Sequence, residues 1–158
     1  MAQPTTILEI DNGTPRPASS EVGERGERIA AEFLEREGYR IVVANFTAPI
    51  GRNSKGVQVK GEIDIVALDG ETLCFVEVKA RSATDFAGPL DNVGLRKQRV
   101  VTRTARVYRR IFSIRGLKHR FDVVTVVDRP GSEPEVELHK GFWSEARFRK
   151  RNWSDEHF

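Results

Sequence analysis

Two short segments, Gly61-Glu62-Ile63-Asp64 and Phe75-Val76-Glu77-Val78-Lys79, place three carboxylates and an ammonium inside stretches that otherwise read as buried β-strand. Between them, Asp69-Gly70 is a strong short-hairpin signal. With Asp-Gly as a two-residue loop, Leu68 pairs with Glu71, Asp64 with Phe75 and Glu62 with Glu77. Cross-strand partners share a face, and side chains alternate with period two. Glu62, Asp64, Glu77 and Lys79 then project from one side, with Asp64 and Glu77 on a diagonal whose Cβ atoms lie about 7–8 Å apart. Two carboxylates so placed can converge on one cation, which makes the hairpin a candidate metal site. The opposite side carries Ile63, Ile65, Ala67, Val76 and Val78, with Cys74 beside them. The competing reading is an ordinary hairpin with acids and lysines on a solvated face. Against it, Val66, Leu68, Leu73 and Phe75 share the acidic side, as in a sheet covered on both faces. Two carboxylates about 5 Å apart repel by roughly 3 kcal/mol at an effective dielectric of 20. Protonation, a cationic partner or a bound metal relieves that cost.

The elements that position these groups follow from pattern and punctuation. Residues 1–18 read as a flexible tail. Ser19 or Ser20 offers an N-cap to a helix that runs to about Glu37 and stops at Gly38. Its apolar stripe is Val22, Ile29, Ala30, Phe33 and Leu34, and Glu27 sits at the stripe's edge, facing the space between helix and sheet. Gly23 and Gly26 are poor helix formers, and a close approach of another segment would explain them. Tyr39–Phe46 reads as a first strand, Thr47–Lys60 as a long exposed loop, and about 61–68 and 72–80 as the hairpin. Ala83–Asn92 is a second loop, followed by a helix from about Asn92 to Phe112. Phe121–Val127 and Glu135–His139 make two further strands around a Pro-Gly turn.

The second helix carries its own clue. Val93, Val100, Val101, Thr104, Ala105, Tyr108, Ile111 and Phe112 trace an inner face, and Lys97 falls on it. Arg96, Arg99, Arg103, Arg106 and Arg110 form a separate stripe with no acids interleaved. Such a stripe is either a solvated face or a surface for phosphates, each of which adds about one unit to the salt dependence of binding. Lys97 is either a core-edge lysine or a phosphate contact at the same pocket.

Composition bounds the rest. The 158 residues, 39% hydrophobic and 31% charged with a net charge of +3, suit one globular domain. The division expected is a tail (1–18), an α/β domain (19–141) and an aromatic, basic C-terminal extension (142–158). A single cysteine excludes an internal disulfide, and three scattered histidines give no zinc spacing. No stretch approaches the roughly 18 apolar residues of a membrane span. Met1-Ala2-Gln3-Pro4 lacks a basic start and an apolar signal core, so the expectation is a cytoplasmic protein. Local arginine density points to a nucleic-acid partner.

Taken together, these motifs resemble the YraN family of endonuclease-like bacterial proteins. The resemblance spans about residues 22–128: Gly26-Glu27, Ala30, Gly38-Tyr39, Asn45, Gly61-Glu62-Ile63-Asp64-Ile65, Phe75 through Arg81, Gly88-Pro89, Val93, Lys97 and Phe121-Asp122. That family in turn is similar to the PD-(D/E)xK nucleases and archaeal-type Holliday junction resolvases. The resemblance implies a restriction-endonuclease-like α/β core with a mixed central sheet flanked by helices. It also implies Mg²⁺- or Mn²⁺-dependent phosphodiester hydrolysis, on DNA ahead of RNA, with a homodimer as one possible assembly. By position, Asp64 and Glu77 are the implied metal ligands, Lys79 the lysine of the Glu-x-Lys element and Glu27 the acid of the first helix, placed in the metal set to hold a metal-bound water or a second ion. Lys97 and Arg81 are the implied anchors of flanking phosphates, with Arg96, Arg99 and Arg103 beyond them. Three departures stand out: Ile63 in place of the superfamily's proline, Thr47 where relatives often have arginine, and the long 47–60 segment. Two rival readings use the same residues differently. One is a nucleic-acid-binding module without turnover; the other is an interaction adaptor using Phe142, Trp143, Phe148 and Trp153.

Overall fold

The computed structural model describes residues 18–82 and 93–149. Along the chain run α1 (Ala18–Arg36), β1 (Arg40–Arg52), β2 (Gln58–Asp69), β3 (Thr72–Ser82), α2 (Leu95–Ile111), β4 (His119–Asp128), β5 (Glu135–Trp143) and a 3-10 turn, Glu145–Phe148. The strands make one sheet in the order β1-β2-β3-β4-β5. Neighbours are antiparallel except β3 and β4, which are parallel; a parallel pair needs a crossover connection, and the segment carrying α2 supplies it. This is the mixed, helix-flanked α/β sheet that the resemblance implied.

Period-two alternation in β3 shares the sheet between the helices. Cys74 and Val76 face α1 with Ala30, Leu34, Ile65, Ala67, Val124 and Val126. Leu73 and Phe75 face α2 with Val66, Val101, Ala105, Tyr108, Phe121 and Val123. The covering of both faces explains why both sides of the central strands are apolar.

Several expectations are corrected. The hairpin pairs Asp69 with Thr72 and Leu68 with Leu73, so its loop is Gly70-Glu71 rather than Asp69-Gly70. Gly70 has φ +59°, and a hairpin loop with positive φ at its first central position puts glycine there. The register therefore differs by two residues, a shift that by itself keeps each paired side chain, from Ile65 to Asp69 and Thr72 to Val76, on its expected face. Residues 47–60 are not a long loop: β1 and β2 stay paired from Thr47↔Glu62 to Arg52↔Gln58, and only the tip turns. Pro49 is tolerated because β1 is an edge strand, and the ladder shifts register beside it. Val22 and Ile111 are 43% and 58% exposed rather than buried inner-face residues, whereas Phe112, though 56% exposed, keeps its ring against Phe46 and Tyr108 at 6.3 and 4.7 Å. The inner face of α2 instead includes Gln98 and Thr102. Thr102 accepts a hydrogen bond from Trp143 Nε1 at 2.9 Å, and Trp143 stacks on Phe121 at 4.9 Å, so this aromatic is packing. α1 already begins at Ala18, so Ser19 and Ser20 lie inside the helix rather than capping it. Residues 1–17 of the expected tail, the Ala83–Asn92 loop with Gly88-Pro89, and Trp153 lie outside what is described.

Candidate active site

The acidic cluster forms where β2 and β3 part. Their ladder runs from Asp69↔Thr72 to Ile65↔Val76. One step on, Asp64 leaves the pairing pattern and its carboxylate replaces a strand: Asp64 Oδ2 accepts from Val78 N at 2.8 Å. Opposite Asp64 on β1 stands Asn45 with φ +53°, a conformation that asparagine adopts more readily than most residues. Alternation breaks at this point. Val43 and Phe46 pack toward α2 although three residues apart, and so do Val66 and Ile63. Ile63 therefore does not share a face with Ile65, as simple alternation required.

Two glycines let the helices close over this break. A Cβ on Gly26 would collide with the Cβ of Ala80 on β3, so α1 rests directly on the strand and Glu27 is delivered to its edge. Gly23 has open space around it and needs another explanation. A Cβ on Gly61 would collide with Thr104 Oγ1 of α2 and meet Ile50. That second close contact seats α2, whose Lys97 Nζ lies 3.5 Å from Glu77 Oε1. Lys79 Nζ lies 3.9 Å from the same oxygen. With its amide nitrogen turned toward the acids, Asn45 donates to Glu27 Oε2 at 2.9 Å and to Glu62 Oε1 at 3.2 Å. The structure thus brings Glu27, Glu62, Asp64, Glu77, Lys79 and Lys97 together from α1, β2, β3 and α2.

The electrostatics are those of crowded, sheltered acids. Asp64 and Glu77 are 8% and 2% exposed. Burial, and then the neighbouring Asp64, push the Glu77 carboxyl well above the usual range, with Lys97 and Lys79 opposing. Burial, Asp64 and Glu62 likewise raise Glu27 to about 7, while the Asn45 hydrogen bond works the other way. Burial disfavours the Lys97 ammonium, but Glu77, Asp64 and Glu62 outweigh it and hold its pKa above the ordinary lysine value. Glu77 Oε2 is buried and has no hydrogen-bond partner. A native fold seldom leaves a buried carboxylate oxygen so placed unless something else binds it. Asp64 and Glu77 are hard oxygen donors of the kind that hold Mg²⁺ through one or two carboxylates plus water. Among the described residues no three His, Cys, Asp or Glu side chains gather into a metal cluster, so two carboxylates are the side-chain set on offer.

The expected basic residues divide. Arg96, Arg99, Arg103 and Arg110 are exposed along α2. Arg103 is also tied to the sheet, donating to Ile50 O at 2.6 Å, and Arg99 lies 5.8 Å over the Phe148 ring. Arg106 leaves the stripe to pair with Glu145 at 2.7 Å, joined by Arg109 and His119. Arg81 is buried, at 8% exposed. Asp122 is an ion-pair partner: Arg120 Nε reaches its Oδ1 at 2.7 Å, within a network that includes Asp69, Tyr39 and Lys140 near the hairpin turn. Asn45 is the site residue whose part the sequence did not disclose. Its type, at a strand position next to the acids, was the available signal.

The model of an uncharacterised protein family, UPF0102, matches residues 26–126. A UPF0102 protein of Chlorobium chlorochromatii is 42% identical over 112 residues, covering 71% of this chain and 78% of the relative. One from Paenarthrobacter aurescens is 38% identical over 120 residues, covering 76% and 91%. A third, from Desulfosudis oleivorans, is 42% identical over 110 residues, covering 70% and 81%. The matched span takes in every acid and lysine of the cluster, from Glu27 to Lys97, and the chain belongs to UPF0102, the YraN family that its motifs resemble.

Proposed function

We propose that this protein is a divalent-metal-dependent endonuclease that hydrolyses phosphodiester bonds in structured DNA. The observation that carries the reading is the pair of buried, opposed carboxylates, Asp64 and Glu77, with one orphaned oxygen and two lysines beside it. Asp64, Glu77 and the Val78 carbonyl would hold Mg²⁺ or Mn²⁺. The ion supplies Lewis-acid stabilisation of the attacked phosphate and a more acidic water. Lys79 meets the negative charge that develops on the phosphate, and Lys97 holds the phosphate from the α2 side. Glu27, with its carboxyl raised to about 7, is poised to take or hold a proton near neutral pH. Asn45 keeps Glu27 and Glu62 turned toward that centre. The exposed arginines of α2 bind the flanking backbone, and Arg81 is assigned a supporting place behind them.

The test is incubation with linear, flapped and four-way-junction DNAs plus Mn²⁺, with Glu77→Ala alongside. Cleavage by the wild type alone is expected; Asp64→Asn retaining full Mn²⁺-dependent cleavage overturns the assignment. The second reading, a nucleic-acid-binding module without turnover, draws on the lysines already facing Glu77 and on the absence of a third ligating side chain among the described residues. Thermal melts separate the two. A metal site raises the midpoint as RT ln(1 + [L]/Kd), whereas salt-sensitive DNA binding with no Mn²⁺ shift favours the module.

A further inference from the structure

We propose that the ribbon formed by β1 and β2 beyond Phe46 and Ile63 is a finger for duplex DNA that occupies the major groove beside the acidic cluster; this rests on the nucleic-acid reading above. The ribbon carries Arg52, Lys55 and Lys60, and residues 47–60 contain no acid. Residues 51–58 are all exposed. A flexible loop of that composition would mean little, but this one is braced. Ala48 and Ile50 are buried where the ribbon lies against α2, and Arg103 Nη2 donates to Ile50 O at 2.6 Å. The tip is closed by Asn53 N donating to Val57 O and Gly56 N to Asn53 O, both at 2.9 Å. Asn53 Oδ1 in turn accepts from Lys55 N and Val57 N at 3.0 Å, and Arg52 Nη1 donates to Gly56 O at 2.8 Å. The cations are therefore held on a preformed arm.

Its dimensions and chemistry name the partner. The base of the arm is the Thr47↔Glu62 rung, within the acidic cluster. Four residues separate Glu62 from Gln58, so at about 3.3 Å per residue the tip begins roughly 13 Å from the site. The major groove of B-DNA is about 12 Å wide and admits a two-stranded ribbon. The major groove of A-form RNA is deep and narrow, closed to such an element. Single strands are gripped through aromatic stacking platforms, and residues 47–60 contain no aromatic side chain. Exposed cations on a ribbon without aromatics fit phosphates flanking a groove.

The test compares full-length wild type with the Arg52→Gln/Lys55→Gln/Lys60→Gln triple variant and with the single Lys55→Gln. Metal-free fluorescence anisotropy is read on a DNA duplex, the RNA duplex of matching sequence and the DNA single strand, across a range of salt. For the DNA duplex, the slope of log K against log salt is expected to flatten by about two to three units in the triple variant and about one in the single. The accompanying loss of affinity is expected to be about tenfold or more at moderate salt, with little change on the other two nucleic acids. Unchanged slopes, equal losses on all three, or a wild type that binds no duplex overturn the proposal. Cleavage is scored separately. Flattened slopes with no hydrolysis by the wild type sink the catalytic reading and leave the finger, and hydrolysis with unchanged slopes does the reverse.

Discussion

Replacing Glu77 by glutamine is expected to stabilise the metal-free protein while abolishing its stabilisation by metal. Asp64 and Glu77 lie just past the last rung, Ile65↔Val76, near enough that the Asp64 charge raises the Glu77 carboxyl. Two charges about 5 Å apart repel by roughly 3 kcal/mol at an effective dielectric of 20. At the same dielectric the Lys97 and Lys79 ammonium groups, 3.5 and 3.9 Å from Glu77 Oε1, more than offset this repulsion. The net cost of the charged form comes from burial, the first cause of the raised Glu77 carboxyl. It is about 1–2 kcal/mol, one pKa unit being about 1.4 kcal/mol. For a chain of this length each kcal/mol moves the midpoint by about 2–4 °C, so the gain at pH 8 in a chelator is about 2–8 °C. The sign with pH follows from both raised carboxyls. A carboxyl whose folded pKa lies above its unfolded value near 4.5 contributes stability that is complete below that value and is lost as pH rises through the folded pKa. The wild type should therefore lose stability from about pH 4.5 through 7 and above, less steeply after the substitution, and the two proteins should converge in acid. Differential scanning fluorimetry across pH, with and without Mn²⁺, reads all of this. A variant that melts below the wild type at pH 8 without metal refutes the reasoning, because Glu77 would then be a satisfied partner of Lys79 and Lys97 rather than a poorly solvated charge.

Other outcomes follow from single contacts. Asp64→Ala is expected to cost about 1–2 kcal/mol in urea unfolding by leaving Val78 N–H unpaired, whereas Asp64→Asn keeps an acceptor and the stability but loses the Mn²⁺ shift. Gly26→Ala forces a Cβ into Ala80 and should cost about 1–3 kcal/mol; Ala80→Gly in the same chain recovers part of it, a coupling that a double-mutant cycle measures. Asn45→Gly preserves the positive φ while Asn45→Ala adds about 1–2 kcal/mol of strain, yet both remove the hydrogen bond that restrains Glu27. A ¹³C NMR titration should therefore show the Glu27 carboxyl raised further in both.

How far the sequence discloses this arrangement depends on which physical rule each residue obeys. Asp64 and Glu77 were found because a two-residue error in register preserves side-chain parity, so the acids stayed on one side even with the wrong loop. Glu27 and Lys97 were visible as charged residues at the margin of apolar helical stripes, where a side chain reaches the seam between helix and sheet. The parting of β2 from β3 was not visible, since it depends on Asp64 taking the Val78 amide, a bond that either an ordinary ladder or a solvated acid would forgo. Ile63 was misplaced for the same reason: alternation predicts faces only while backbone geometry is regular, and Asn45 interrupts it. Residues 47–60 read as loop because Pro49, Gly51 and Gly56 are strand-poor in general. An edge strand excuses Pro49 and Gly51 and the tip turn, with φ +75° at Gly56, excuses the third, but edge position is a property of topology. Thr102 was missing from the inner face traced by periodicity, because its partner, Trp143 far along the chain, is brought to it only by the fold.

The same two glycines connect packing to chemistry. Gly26 precedes Glu27 and Gly61 precedes Glu62, and in each case the missing side chain is what lets a helix approach the sheet. Drawing acids into a shared, poorly solvated space is unfavourable on its own. It becomes tolerable when the backbone contact beside each acid buries apolar surface that no looser arrangement would bury, with Ala30 and Leu34 on one side and Val101 and Ala105 on the other. Because the charges arrive from α1, β2, β3 and α2, neither hairpin nor helix alone holds the constellation. A cation that binds there must select the fully assembled sheet with both helices seated, and its binding free energy then adds to the stability of the fold. An unfolded chain should bind Mn²⁺ no better than scattered carboxylates do, because Asp64 and Glu77, the pair that would hold the ion, come together only in the folded sheet.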